Sequence, residues 1–111
     1  MAIPHAGPGE QVDVFSPDGV PQARTTTLIK TEPLEVIRLV MSAGKELARH
    51  QVSGEIMLQC LTGSATLRLD GQTCELSAGM MTYLSGGQGH SLVAREDSSL
   101  LLTILLSPKS S

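Results

Sequence analysis

The amino-acid sequence predicts an all-β protein built as a sandwich or a barrel, and three observations support this. From Thr25 onward, short apolar and β-branched runs alternate with turn signals, about eight runs in all, which is typical of such folds. Asp70-Gly71 separates two alternating runs, a strong hairpin signal in which both turn residues would take a positive φ. No stretch longer than one turn has a convincing helical period.

The predicted strands follow one another with short connections. "TTTLIKT" ends before Pro33, and "LEVIRLVMS" ends before Gly44. "GEIMLQCL" runs to Gly63, and "SATLRLD" and "QTCELS" form the hairpin. "MMTYLS" precedes the glycine-rich "GGQGH", and "HSLVARE" and "SSLLLTILLS" complete the set. "AGKELARHQ" resembles a helix briefly, but Gly44 and the following "VSGE" interrupt it, so neither helix nor strand is predicted there.

A chain of 111 residues has the length of one domain and can bury one core. Residues 1–24 are rich in proline and too irregular for a helix, so they are interpreted as an N-terminal arm or tail with a turn at 17–19. Residues 25–107 form the predicted barrel, and residues 108–111 form a C-terminal tail.

The composition excludes several classes of partner. Apolar residues make up 41% and charged residues 17%, which excludes a disordered chain. The net charge is −3 and the basic residues are not clustered, so a nucleic acid is not expected as a partner. No apolar run approaches the roughly 18 residues of a membrane span, so no membrane partner is expected either.

A cytoplasmic location is expected from the N-terminus and the cysteines. The N-terminus lacks the basic and apolar regions of a signal peptide. Cys60 and Cys74 fit neither a zinc spacing nor a CxxC motif, which favours a reducing compartment.

Two of the predicted strands, "EIMLQCL" and "LLLTILL", are apolar on both faces. In an isolated small barrel, one face of each strand should be exposed to solvent and therefore polar. A second copy of the chain covering the outer face of one sheet would explain the pattern, so we expect a homodimer.

The spacing of glycines and histidines resembles the two motifs of the cupin superfamily, over residues from about 34 to 106. In the first motif Gly44, His50 and Gly63 match, whereas Val52 replaces the second histidine and Ile56 replaces the glutamate. In the second motif the matches are Gly79, Gly87 and His90, and the departures are Ser85 for proline and Ala94 for asparagine.

The resemblance implies a double-stranded β-helix, or jelly-roll barrel, and in the family three histidines and one carboxylate face the barrel mouth. Such a set suits a divalent transition metal, Fe, Mn, Ni, Cu or Zn. Here only His50 and His90 remain, and a catalytic metal usually has at least three protein ligands.

Two registers of the strand after Gly54 lead to different sites. A slip by one residue would turn Glu55 and Gln59 toward the pocket as additional metal ligands. Without the slip, the pocket is lined by apolar residues, namely Val52, Ile56, Leu58 and Cys60. Cys60 is then interpreted as a small buried hydrophobic residue.

Two functions therefore remain open. The first is a small barrel that binds a small organic ligand or substrate, together with a divalent metal on His50 and His90. The second is a metal-free binding or sensing module without catalytic activity, in which the histidines hydrogen-bond the ligand. Arg49 lies in a charged cluster next to His50 and could contact an anionic ligand.

Overall fold

The computed structural model of the chain describes residues 5–15 and 24–106, which contain β-strands and no helix. None of the described residues therefore belongs to a helix able to cross a bilayer. The strands are β1 (Thr26–Lys30), β2 (Leu34–Met41), β3 (Glu46–His50), β4 (Ile56–Thr62), β5 (Ser64–Leu69), β6 (Gln72–Ser77), β7 (Met81–Leu84), β8 (His90–Ala94) and β9 (Ser98–Leu105).

The strands form two antiparallel sheets. The five-stranded sheet has the order β1-β2-β9-β4-β7, and the four-stranded sheet has the order β3-β8-β5-β6. Most neighbours within a sheet are distant in sequence, as in the pairing of β2 with β9, because the chain crosses repeatedly between the sheets. The predicted all-β, jelly-roll fold class is confirmed.

Strand β3 was not predicted from the sequence. It pairs with β8 at the edge of the four-stranded sheet, with Leu47 opposite Leu92 and an irregularity in register before His50. Only Leu47 of its five residues is partly buried, and the other four are exposed. An edge strand with so little apolar surface has no alternating pattern, which is why the sequence does not reveal it.

The hairpin predicted at Asp70-Gly71 is present, and Leu69 pairs with Gln72 across it. Gly71 has a φ of 83°, but no described residue other than glycine has a positive φ. The prediction of a positive φ at Asp70 is therefore wrong, and Gly71 alone supplies the left-handed conformation.

Strand β4 adopts the register without the slip. Ile56, Leu58 and Cys60 are 3%, 4% and 0% exposed and belong to the core between the sheets. Glu55 is exposed and Gln59 lies on the outer face, so the slipped register is wrong. Slipping would place apolar side chains in water and a carboxylate in an apolar core, and both changes are unfavourable.

One end of the outer face of the five-stranded sheet is apolar and exposed to solvent. Met57 pairs with Tyr83 and Gln59 pairs with Met81, so the side chains of these residues project from the same face. This apolar end consists of large exposed or partly exposed side chains, namely Leu34, Met57, Met81, Tyr83 and Leu105. Such a contiguous surface is typical of an interface.

Residues 5–15 of the N-terminal arm lie against the other end of this sheet. The backbone N–H of Ala6 donates to the carbonyl oxygen of Leu28 at 2.9 Å. The Arg38 guanidinium donates from Nε to the carbonyl of Val14 at 2.8 Å and from Nη2 to that of Phe15 at 3.1 Å. The turn expected at 17–19 and the tail expected at 108–111 lie outside the described residues.

Candidate functional site

The structure places His50 and His90 directly opposite each other on neighbouring strands. They are register partners in the β3–β8 pair, and their ring centroids are 4.3 Å apart with a tilt of 59°. Cross-strand partners project from the same face of a sheet, so both imidazoles point into one end of the barrel. His90 is 6% exposed, whereas His50 is exposed to solvent.

Both imidazoles contact a backbone carbonyl in the same way. Nδ1 of His50 lies 3.2 Å from the carbonyl oxygen of Ala48, and Nδ1 of His90 lies 3.2 Å from that of Gln88. A carbonyl oxygen can only accept a hydrogen bond, so each Nδ1 is assigned the proton. In the neutral rings both Nε2 atoms then keep a free lone pair.

The barrel interior beneath the histidines is filled by leucines. The remaining cavity has a volume of about 20 Å³, which is near the space that one water molecule needs. Its walls are the two imidazoles and six leucine side chains, Leu39, Leu47, Leu58, Leu67, Leu92 and Leu102. An organic ligand therefore does not fit inside the barrel and would have to bind at its opening.

A guanidinium lies beside the histidine pair. A side chain at the buried Gly89 would overlap the Arg49 guanidinium, so glycine leaves the space in which Arg49 packs. The Arg49 Nη2 atom is 2.9 Å from a carboxylate oxygen of Asp70, which raises the pKa of Arg49 and keeps it charged. We use "barrel mouth" below for the surface formed by His50, His90 and Arg49.

The pKa of His90 is lowered from its ordinary value. Burial is the main cause, and the nearby charges of His50 and Arg49 act in the same direction, while the hydrogen bond to the Gln88 carbonyl opposes them. Burial disfavours the imidazolium because a charge is poorly solvated in an apolar surrounding. His90 is therefore neutral at pH 7, and further protonation of the mouth is unfavourable.

Stability is expected to fall as the pH is lowered from 7 toward 5. The unfolded chain takes up a proton on His90 near pH 6.5, while the folded chain takes it up only at a lower pH, so acid favours unfolding across that window. His90→Gln should flatten the dependence. Urea titrations of both proteins at pH 7 and pH 5 test this, and equal pH slopes would contradict it.

The donor set does not fit the metal site that the cupin resemblance implies. Within residues 5–15 and 24–106, no three His, Cys, Asp or Glu side chains lie close enough to hold a metal ion. Glu55 instead accepts a 2.6 Å hydrogen bond from the Tyr83 hydroxyl on the outer face, and Gln59 lies on that face too. The positive Arg49 further disfavours a cation at the mouth.

The residues predicted to line the pocket lie on the inner side of the barrel. Leu58 forms part of the cavity wall, Ile56 and Cys60 lie in the core cluster, and Val52 packs against that cluster. The Cys60 thiol contacts the carbonyls of Thr62 and Gly63, and burial raises its pKa. It is therefore a protonated core residue.

Apart from Leu58, the leucines that close the interior were not predicted from the sequence. Leu47 lies in the unpredicted strand β3, so its orientation could not be inferred. The alternation in "HSLVA" does contain a signal, because residues two apart share a face and Leu92 must point inward with His90.

Comparison with known proteins identifies the fold. No protein-family model and no curated protein sequence matches the chain. Among solved structures, a conserved protein of unknown function from Streptococcus pyogenes superposes with a TM-score of 0.79 at 22% identity, covering 98% of this chain and 97% of that one. A cupin superfamily protein from Desulfitobacterium hafniense gives 0.80 at 13% identity, covering 96% and 100%.

A third solved structure, an RmlC-like cupin from Shewanella frigidimarina, superposes with a TM-score of 0.70 at 18% identity and covers 77% of each chain. The chain is thus a small protein with the cupin fold. The sequence identities are low, and proteins that share a fold can carry out many different reactions. The similarity therefore establishes the fold, and the function has to be argued from the residues of the site.

Proposed function

We propose that the protein is a metal-independent binding module that holds a small anion at the barrel mouth. The observation that carries the proposal is the grouping of Arg49 with the His50–His90 pair. Arg49, whose guanidinium also pairs with Asp70, supplies a permanent positive charge, and the two rings supply Nε2 atoms that become donors on protonation. The leucine-filled interior supports binding at the opening, where His50 is exposed to solvent.

The proposal predicts that anion binding strengthens as the pH falls. Acetate or inorganic phosphate should shift the imidazole NMR signals of His50 and His90, and a bound anion should stabilise the imidazolium forms. Arg49→Gln should weaken binding about tenfold, because a charged hydrogen-bond donor is lost. Arg68→Gln is the control, since Arg68 pairs with Glu46 on the outer face of the four-stranded sheet, away from the barrel mouth. Equal affinities for Arg49→Gln and wild type would overturn the proposal.

A second candidate function is favoured by the tautomers of the two rings. A metal-bound imidazole commonly donates its other N–H to a carbonyl, which is the arrangement of Nδ1 in both histidines. A divalent transition metal would then have two protein nitrogens and solvent as ligands. This set is smaller than that of a catalytic metal centre.

Elemental analysis of untagged protein separates the two candidates. Wild type, His50→Ala and His90→Ala should all contain only trace metal under the first proposal, and none should bind added Fe, Mn, Ni, Cu or Zn tightly. Near-stoichiometric metal in the wild type that is lost in both variants would establish the second candidate instead.

We also propose that the apolar end of the outer face is covered by a second copy of the chain. A groove of about 240 Å³ lies beside Met57 and Leu105, and among the described residues that line it Glu55 alone is charged, with its carboxylate bound by Tyr83. A mostly apolar surface can pack on a copy of itself with few opposing like charges. Both cysteines are free, which is consistent with the proposed cytoplasmic location.

Tyr83→Lys is expected to convert the dimer to a monomer. The introduced charge would be buried in the centre of an apolar contact, and the copies would place like charges against each other. Light scattering at micromolar concentration measures the mass. Thr73→Lys on the exposed outer face of the other sheet should leave the dimer intact. A monomeric wild type would rule out this interface.

A further inference from the structure

A cavity lined by described residues lies outside the barrel, at the end of the outer face where the N-terminal arm packs. Its volume is about 400 Å³, within the range typical of small-molecule sites. We call it the arm cavity. Its walls come from the arm, β2, the end of β4 and the start of β9 with the turn before it: Phe15, Arg38, Val40, Met41, Ser42, Thr62, Asp97, Ser98 and Ser99.

Arg38 gives this cavity a buried positive charge. The residue is 6% exposed, and every other Asp, Glu, Lys and Arg among the described residues is more accessible. Arg38 takes part in none of the ion pairs found in residues 5–15 and 24–106. Buried charges are normally paired, because desolvating an unpaired ion is strongly unfavourable. An anion in the cavity would supply the missing counter-charge.

The Arg38 guanidinium is held in place by two hydrogen bonds and keeps further N–H groups as donors. The carbonyls of Val14 and Phe15 accept one N–H from Nε and one from Nη2, and a guanidinium has five N–H groups. The two carbonyl contacts fix its plane at the cavity wall. A planar group with free N–H donors matches the geometry of a carboxylate.

The remaining walls indicate the size and polarity of the ligand. Phe15, Val40 and Met41 offer an apolar surface, while the Thr62 and Ser99 hydroxyls, 2.7 Å apart, offer a polar one. The carboxylate of Asp97 also lines the cavity, but it accepts a hydrogen bond from the backbone N–H of Ala43 and forms no ion pair with Arg38. Its negative charge disfavours a dianion such as phosphate.

We propose that the arm cavity is a binding site for a small organic monocarboxylate. The carboxylate binds the Arg38 guanidinium, and the apolar body of the ligand packs against Phe15, Val40 and Met41. This site is separate from the barrel mouth, and its ligand differs in needing an apolar body. The leucine-filled barrel has no room for such a molecule, whereas the arm cavity does.

Titration of the full-length ¹⁵N-labelled chain with phenylacetate tests the proposal. Phenylacetate should shift the amide signals of Ser42, Thr62 and Ser99 saturably, and uncharged phenylacetamide should bind at least about tenfold more weakly, because the charge-assisted hydrogen bonds are lost. Acetate, which lacks the apolar body, and inorganic phosphate should also bind more weakly. Absence of saturable shifts, or equal binding of phenylacetamide or phosphate, would overturn the proposal.

Variants then locate the site. Arg38→Gln should weaken phenylacetate binding at least about tenfold, while Arg68→Gln on the other sheet should leave it unchanged. Because Arg38 also holds the arm, Phe15→Ala is the second variant: it keeps the backbone carbonyl that Arg38 uses and should weaken binding several-fold. If Arg38→Gln does not fold, Phe15→Ala and the amide comparison decide. Wild-type affinity in Phe15→Ala, or binding that Arg49→Gln abolishes, would place the ligand elsewhere.

Discussion

Gly63→Ala is expected to destabilise the protein by at least about 3 kcal/mol, the sum of a backbone and a packing effect. Gly63 joins β4 to β5 with a φ of 81°, a conformation that alanine adopts only at a cost. An added Cβ would also overlap the backbone oxygen of Asp97 and the hydroxyl of Ser98, and would lie 2.9 Å from the Ser98 Cα. Backbone atoms in the β8–β9 connection cannot move aside as a flexible side chain can.

The overlap also disturbs a buried hydrogen-bond network. The Ser98 hydroxyl donates to the Ser64 carbonyl and accepts from the Ser64 N–H, so it ties the start of β5 to β9. Ser98 is 5% exposed, and displacing it would leave buried polar groups without partners. The two sheets therefore lose part of their connection when Gly63 gains a side chain.

Gly44→Ala is the matched control for this prediction. Gly44 has nearly the same φ, 84°, but an added Cβ would meet no atom within 4 Å. Gly44→Ala should therefore lower the free energy of unfolding only by the backbone contribution, about 1 kcal/mol. Urea unfolding of the three proteins measures the difference, and equal losses in the two variants would show that the contact with Asp97 and Ser98 does not matter.

Leu58→Ala is expected to lower the free energy of unfolding by about 3–5 kcal/mol. Leu58 is 4% exposed and forms part of the wall beneath the histidine pair. Truncation removes buried methyl groups and leaves a void that the stiff strands cannot close. That void would join the existing space of about 20 Å³, so the variant should gain a cavity able to take up xenon or a small apolar molecule.

Met57→Ala is the control for Leu58→Ala and also tests the register of β4. Met57 is the neighbour of Leu58 in β4, but it lies on the outer face and is 43% exposed. Its truncation should cost less than about 1 kcal/mol. Unfolding and xenon uptake of the two variants at one protein concentration provide the comparison. A larger loss for Met57→Ala than for Leu58→Ala would mean that the inner and outer faces of β4 are exchanged.

Much of the fold could be predicted from local patterns. The β-branched runs, the turn at Gly71 and the absence of a helical period are short-range signals, and the strands follow them. Strand β3 could not be found in this way, because its register with β8 comes from backbone pairing at a sheet edge and its side chains are mostly exposed. Because β3 was not predicted, the inward orientation of Leu47 was not predicted either.

The sequence by itself determined every strand of the described residues except β3, and it showed that His50 and His90 stand at corresponding positions of two motifs. Only the tertiary structure decided which residues surround them, because cavity volume and charge placement depend on side chains from several strands. Six leucines fill the space below the rings, and Gly89 lets Arg49 lie beside them. The same holds for Arg38: its position in an apolar run is visible in the sequence, but its burial under the arm depends on packing between distant segments.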